Sequence, residues 1–279
     1  MTSVIAGFRA FAAAALKEWR ILRRYPASFI GILFWPLILP GVYVLQANGF
    51  SGGDPRALAA FAARTGTMEV AGFLYVGGAI YMWLSLVLWG PGSSLREEQM
   101  QGSLESLFLT PASRLVILFG PAPAYLVQAL WMFLVIGLAL VFLFHLPLTG
   151  LIVVRALVAI AIGIPAFLGI GALFATAVLR FKEINGIVQV VRGAFQMLCG
   201  MTFPIVVLPD WGQIIARALP PTYVIGDVRA MLLSGATLAS KTVDFAILLG
   251  IAVAMTVTAA VIFRWSEGWY RRSGGLGQY

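Results

Sequence analysis

No charged side chain occurs over residues 25–53, 70–95, 115–154 or 156–179. Each of these runs exceeds the roughly 20 residues that an α-helix, rising ~1.5 Å per residue, needs to cross ~30 Å of hydrocarbon. A helix of a soluble protein turns a polar face to water, and these runs have none to turn. With 61% hydrophobic and 11% charged residues over 279 positions, the chain also lacks the polar side chains to cover a water-facing globule. The bilayer must absorb this surface, so an all-α integral membrane fold is expected.

The 19 Lys and Arg against 11 Asp and Glu leave a net charge of +8. In a soluble domain that excess would point to nucleic acid, but basic residues gathered near the ends of apolar runs are what membrane orientation requires. Cys199 is the single cysteine, which leaves no disulfide framework or thiolate cluster within one chain; it reads as a small buried hydrophobe. The run 10–16 after Arg9 is short for the apolar region of a signal peptide. Lys17, Arg20, Arg23 and Arg24 follow it in place of a cleavage site, so cleavage is not expected.

Residues 4–24 place Val4, Phe8, Phe11, Ala15, Trp19 and Leu22 on one helical face by spacings of three and four, with Arg9, Lys17, Arg20 and Arg24 opposite. The pattern predicts an amphipathic helix, either lying in the membrane surface or packed on protein. Glu18 falls near its apolar face and calls for a basic or polar partner. Pro26 breaks the chain, and spans are expected over about 27–46, 70–94, 115–144, 151–179, 184–207 and 243–263. A polar loop is expected from Asn48 to about Glu69. Six spans put both termini on one side. The segments on that side hold twelve Lys and Arg, against Arg56, Arg64, Arg155, Arg217, Arg229 and Lys241 opposite, so both termini are expected in the cytosol.

Residues 203–235 are too apolar for a solvated loop and too broken by Pro204, Pro209, Pro220 and Pro221 for a single span. Two short helices dipping into the outer leaflet would keep the backbone satisfied at that depth, as would an interfacial loop lying flat. Asp210 suits the first helix as its N-cap.

The polar interruption REEQMQGSLESLFLTP, residues 96–111, is the most informative stretch. Gly102 lets the second span end, Ser103 can cap a short helix over 103–110, and Glu105 favours the positive end of its dipole. Pro111 stops it. Leu104, Leu107 and Phe108 then share one face, and a loop that only connects two spans has no use for exposed leucines; a partner's groove explains them. Glu97 and Glu98 either reach that partner or pair locally.

The order Glu98-Gln-Met-Gln-Gly102-Ser103-Leu104-Glu105-Ser-Leu107-Phe108-Leu-Thr110-Pro111 resembles the permease subunits of type 2 ABC exporters. Gly200-Met-Thr-Phe203-Pro204, Leu208-Pro209-Asp-Trp211 and Leu219-Pro220-Pro221-Thr222-Tyr223 are similar to that family's extracytosolic region, as is the Arg271-Arg272-Ser-Gly-Gly tail. The resemblance implies a homodimer of six-span subunits in a bacterial plasma membrane. Each would carry an elbow helix at 4–24, with Phe8, Phe11, Lys17, Glu18, Trp19 and Arg20 as its anchoring residues. The helix at 103–110 would be a coupling helix seated in a separate ATPase, present in two copies. Residues 204–235 would form a re-entrant region, and Phe203, just before it, with Pro204, Pro209, Trp211, Pro220, Pro221, Thr222 and Tyr223 would form its gate. No cofactor is expected in this chain: ATP and Mg would sit on the partner, since none of the three lysines follows a glycine and the phosphate-binding loop is therefore missing. Gly-Ser-Leu-Glu looks more like the drug, antibiotic and lipid-like exporters, while Arg24-Tyr25-Pro26 before Trp35-Pro36 lends some standing to the glycan branch.

Arg192 lies inside the expected fifth span, where an unpaired cation costs about 2.5 to 3.5 kcal/mol on insertion scales. It is either functional or close enough to the surface to snorkel. Gln128, Gln189 and Gln196 either line a polar path or bond between helices. His145, the single histidine, has no second ligand near it, so neither a metal site nor general-base work is expected. A channel or ion-driven carrier would put paired charges in the middle of spans, and an intramembrane enzyme would show a catalytic motif; both are weaker rivals.

Overall fold

The computed structural model describes residues 2–273 apart from 25, 52–53, 103–105, 107–108, 111–115, 118–119, 143–144, 146–147 and 181–184. Its described elements are helices: α1 (Thr2–Arg24), α2 (Pro26–Ser51), α3 (Pro55–Thr65), α4 (Val70–Met100), α5 (Ala122–Phe142), α6 (Gly150–Arg180), α7 (Asn185–Leu198), α8 (Asp210–Ala218), α9 (Pro220–Ser234) and α10 (Thr242–Ser273). Single 3₁₀ turns at Ile205–Val207 and Leu238–Lys241 precede α8 and α10. Ala122–Phe142, Gly150–Phe174 and Leu238–Ile262 are long and apolar enough to cross a membrane. Pro55–Thr65 and Val70–Leu86, bent by 50° at their break, make a fourth candidate when taken as one span.

Apolar side chains on the outside mark what solvates these helices. On α5, Leu130, Leu134, Leu138 and Phe142 are exposed, while Ala129, Met132, Ile136 and Leu140 of the same turns are buried. On α10 the outward stripe is Val243, Ile247, Val253, Val257 and Val261. Lipid tails are as apolar as leucine, so burying these stripes would gain little, and close packing has to hold the helices together instead. Small residues supply it: Ala159, Ala166 and Ala172 lie buried along α6, on which α10 packs most extensively. α4 occupies the centre, against α2, α5, α6 and α9. Its Trp83 lies 4.3 Å from the Phe167 ring and 5.5 Å from the Phe133 ring, measured between centroids.

Four local outcomes differ from the sequence expectation, each for a physical reason. The polar loop over 48–69 contains α3: Asp54 Oδ1 accepts from the Arg56 backbone N–H at 2.9 Å, Pro55 fills the first helical position, and Gly66 receives the last turn. The third span starts late, because the chain turns at Gly120 and Pro121 before α5 begins. The fifth span, expected over 184–207, is helical only over Asn185–Leu198, ~21 Å of rise against ~30 Å of hydrocarbon. Gly200 ends it in the left-handed region at φ 72°, and Pro204 follows in extended backbone. Asp210 is the first residue of α8 rather than its cap; Pro209 holds the cap position and offers no side-chain bond.

Candidate functional site

Among the described residues, polar side chains come together at three places. The first is the far end of α4. That helix leaves the apolar core, runs on through Arg96, Glu97 and Glu98 to Met100, and is released by Gly102 at φ 72°. Glu98 ion-pairs with Lys17 of α1, so the amphipathic helix and the polar stretch are joined side chain to side chain. Lys17 is half exposed, and such a pair contributes only ~0 to 1 kcal/mol. On α1, Phe8, Trp19 and Arg20 are exposed, and Phe11 and Glu18 are half-buried. Leu109 is 81% exposed, unusual for a leucine that water must cover. Thr110 is exposed beside it. Ser103, Leu104, Glu105, Leu107, Phe108 and Pro111 lie outside the described residues.

The second place is α7. Gln189, Arg192 and Gln196 follow at spacings of three and four and so share one face. Arg192 Nη1 donates to Gln189 Oε1 at 3.4 Å, and its guanidinium sits over the Tyr81 ring of α4, 5.5 Å from the centroid. Gln196 Nε2 donates to the Tyr43 hydroxyl of α2. Aromatic quadrupole and amide thus replace the water that a span would deny these groups. Gln128 stands apart from this ladder, buried on the inner face of α5.

The third place is the hairpin of α8 and α9. Pro220 and Pro221 open α9, where the missing N–H groups cost nothing, and both are buried. Thr222 Oγ1 donates to the Ala216 carbonyl at 2.6 Å and Tyr223 Oη to the Arg217 carbonyl at 2.7 Å, which fixes the corner between the helices. Trp211 and Ile214 of α8 are exposed, 63% and 69%, on an apolar face that no described residue covers. Phe203 and Pro204 are half-buried and Pro209 is exposed.

The hairpin also holds what sequence reasoning missed. Arg229, counted above among outer loop cations, is buried at 8% exposure. Its Nε donates to the Phe73 carbonyl at 2.9 Å, Nη2 to the Met201 carbonyl at 2.7 Å and Nη1 to the Gly200 carbonyl, while the Phe73 ring lies 3.5 Å below the guanidinium. One side chain therefore ties α9 to the start of α4 and to the turn that follows α7, giving donors to the Gly200 and Met201 carbonyls beyond the helix end. Gly77 makes room for it: a Cβ there would lie 2.0 Å from the Met201 oxygen and 2.1 Å from Arg229 Nη2. Asp227, two residues earlier, is buried and meets Lys241 at 3.3 Å, and Lys241 also holds Asp244 at 2.9 Å. The available signal was two opposite charges inside the apolar run PPTYVIGDVRAMLLS. Among the described residues no group of three His, Cys, Asp or Glu side chains could hold a metal ion.

These features describe a membrane-embedded helical body with a polar joint at one end and a proline-broken hairpin at the other. Curated proteins give no match to the chain. A family model described as ABC-2 type transporter matches residues 9–233, from within α1 to the last turn of α9. That family's membrane domain is a permease without its own ATP-binding domain and works with an ABC ATPase. With most of its length inside the match, the chain belongs to the ABC-2 type transporter family.

Proposed function

We propose that this permease is an exporter that moves a small amphiphile, a drug, antibiotic or lipid-like molecule, out of a bacterial cell. It works as two permease copies with two ATPase subunits, each permease crossing the membrane six times with both termini in the cytosol. Residues 103–110 form the coupling helix and dock on the ATPase through Leu104, Leu107 and Phe108. α1 acts as the elbow helix, and the segment 204–235 as a re-entrant gate. The observation that carries the reading is the continuity of α4, one helix from the buried Tyr75–Leu84 core to the Glu98–Lys17 joint and Gly102. A push at its polar end travels to the core along one helix, through Gly90-Pro91-Gly92. The ladder of Gln189, Arg192 and Gln196 with Tyr43 and Tyr81 offers cation, amide and hydroxyl groups between apolar helices, the chemistry an amphiphile's polar end requires. A glycan exporter is the second reading, and the aromatic and proline residues at the start of α2 are what favour it.

The test is reconstitution of the permease with its ATPase in proteoliposomes. ATP-dependent movement of a fluorescent amphiphile, absent without ATP, is the expected result. Movement of a lipid-linked oligosaccharide in its place selects the glycan reading, and movement of neither refutes both.

A further inference from the structure

A cavity of about 300 Å³ opens between the C-terminal end of α3, the break after α7, the buried face of α9 and the turn before α10. Among the described residues its walls carry three cations, Arg64, Arg229 and Lys241, and no carboxylate. The Lys241 charge is met by Asp227 and Asp244, neither of which lines the cavity. Arg229 has no such partner among the described residues: three carbonyl oxygens and the Phe73 ring are what face it. A guanidinium has five N–H donors, so two remain after those three bonds. Carbonyl dipoles offset part of the cost of burying the charge, and an anion would offset more. The rest of the wall sets the apolar Ile205, Ile225 and Leu233 beside the hydroxyl side chains of Thr65, Thr67, Thr222 and Ser234. At about 300 Å³ the space is at the small end of ligand pockets, enough for a head group and not for a whole amphiphile.

We propose that this cavity binds the anionic group, phosphate or carboxylate, of an amphiphile. Arg229 and Arg64 hold the charge, and Ile205, Ile225 and Leu233 take the first carbons of the chain. The inference takes from the transport reading only that amphiphiles reach this face.

The test uses the full-length permease, purified in a neutral detergent without its ATPase, so a failure here leaves the transport reading standing. Binding of short-chain phosphatidylglycerol is measured by native mass spectrometry against phosphatidylcholine of the same chains, with inorganic phosphate as competitor. Phosphatidylglycerol is expected to bind saturably and at least tenfold more tightly than phosphatidylcholine. Arg64→Gln, on the exposed face of α3, should weaken it about fivefold and leave phosphatidylcholine unchanged; Arg229→Gln should weaken it further. Displacement by inorganic phosphate at equal concentration supports the site with a free oxyanion as source, and displacement by phosphatidylglycerol alone supports it with a lipid head group. Equal retention of the two lipids overturns the proposal, as does an Arg64→Gln protein that binds phosphatidylglycerol like the parent, whatever the fate of the Arg229 variant.

Discussion

Replacing Arg229 with methionine keeps most of the buried stem and removes the three hydrogen bonds that its guanidinium donates to the Phe73, Gly200 and Met201 carbonyls. A hydrogen bond to a charged group contributes about 1.5 to 3 kcal/mol, so the gross loss over three is about 4.5 to 9 kcal/mol. Relief of the desolvation of a buried cation returns several kcal/mol of that, leaving a net destabilisation of about 3 kcal/mol. For a chain of this size the melting temperature should fall by about 6 to 12 °C. The assay is intrinsic tryptophan fluorescence of the purified protein during a thermal ramp in detergent. Gly77→Ala should reach the same end from the other side, since its Cβ would overlap both the Met201 oxygen and Arg229 Nη2. The double variant should lose less than the sum, because freeing the 200–201 turn also frees the space that alanine needs. A melting temperature within about 2 °C of the parent for Arg229→Met would refute the idea that this arginine holds the hairpin.

Lys241→Met leaves the buried Asp227 without its cation and should cost about 3 to 5 kcal/mol, while the added change Asp227→Asn should recover most of it in the same thermal assay. Lys17→Ala should shift stability by less than about 1 kcal/mol, since the pair is half exposed, yet lower ATP-driven transport; exchanging the charges as Lys17→Glu with Glu98→Lys should restore transport if the joint transmits force. Tyr43→Phe and Gln196→Leu each break one bond between α2 and α7, at about 0.5 to 1.5 kcal/mol. Their double-mutant cycle should show coupling, and a set of amphiphilic dyes should reveal an altered substrate range.

The class of this protein was legible because the bilayer is an unforgiving solvent: uncharged runs of over twenty residues admit one interpretation, and 96–111 stood out against them. The prolines of 203–235 announced a broken hairpin, and α8 and α9 begin at Asp210 and directly at Pro220. What could not be read was tertiary. Apolarity alone extended the fifth span to Val207, since hydropathy does not register that Gly200 adopts φ 72° and that a distant guanidinium satisfies the exposed carbonyls. Arg229 was counted as an outer cation because charge counting treats every arginine near a loop as solvated. α3 was hidden inside a polar loop because its cap, Asp54 with Pro55, looks like turn chemistry until the following residues are seen to coil. The Gln196 bond to Tyr43 joins residues 153 positions apart, beyond any local pattern.

The account turns on residues 96–111 being where the ATPase drives the permease. Its most direct test is co-purification of the ABC ATPase with permease carrying Leu104→Asp and Leu107→Asp, together with the ATPase rate of whatever complex is recovered. The account predicts that the parent retains its ATPase and alters its rate, and that the double variant, although folded and inserted, loses both. An ATPase that binds the variant as it binds the parent, with the same rate and the same transport, would contradict it.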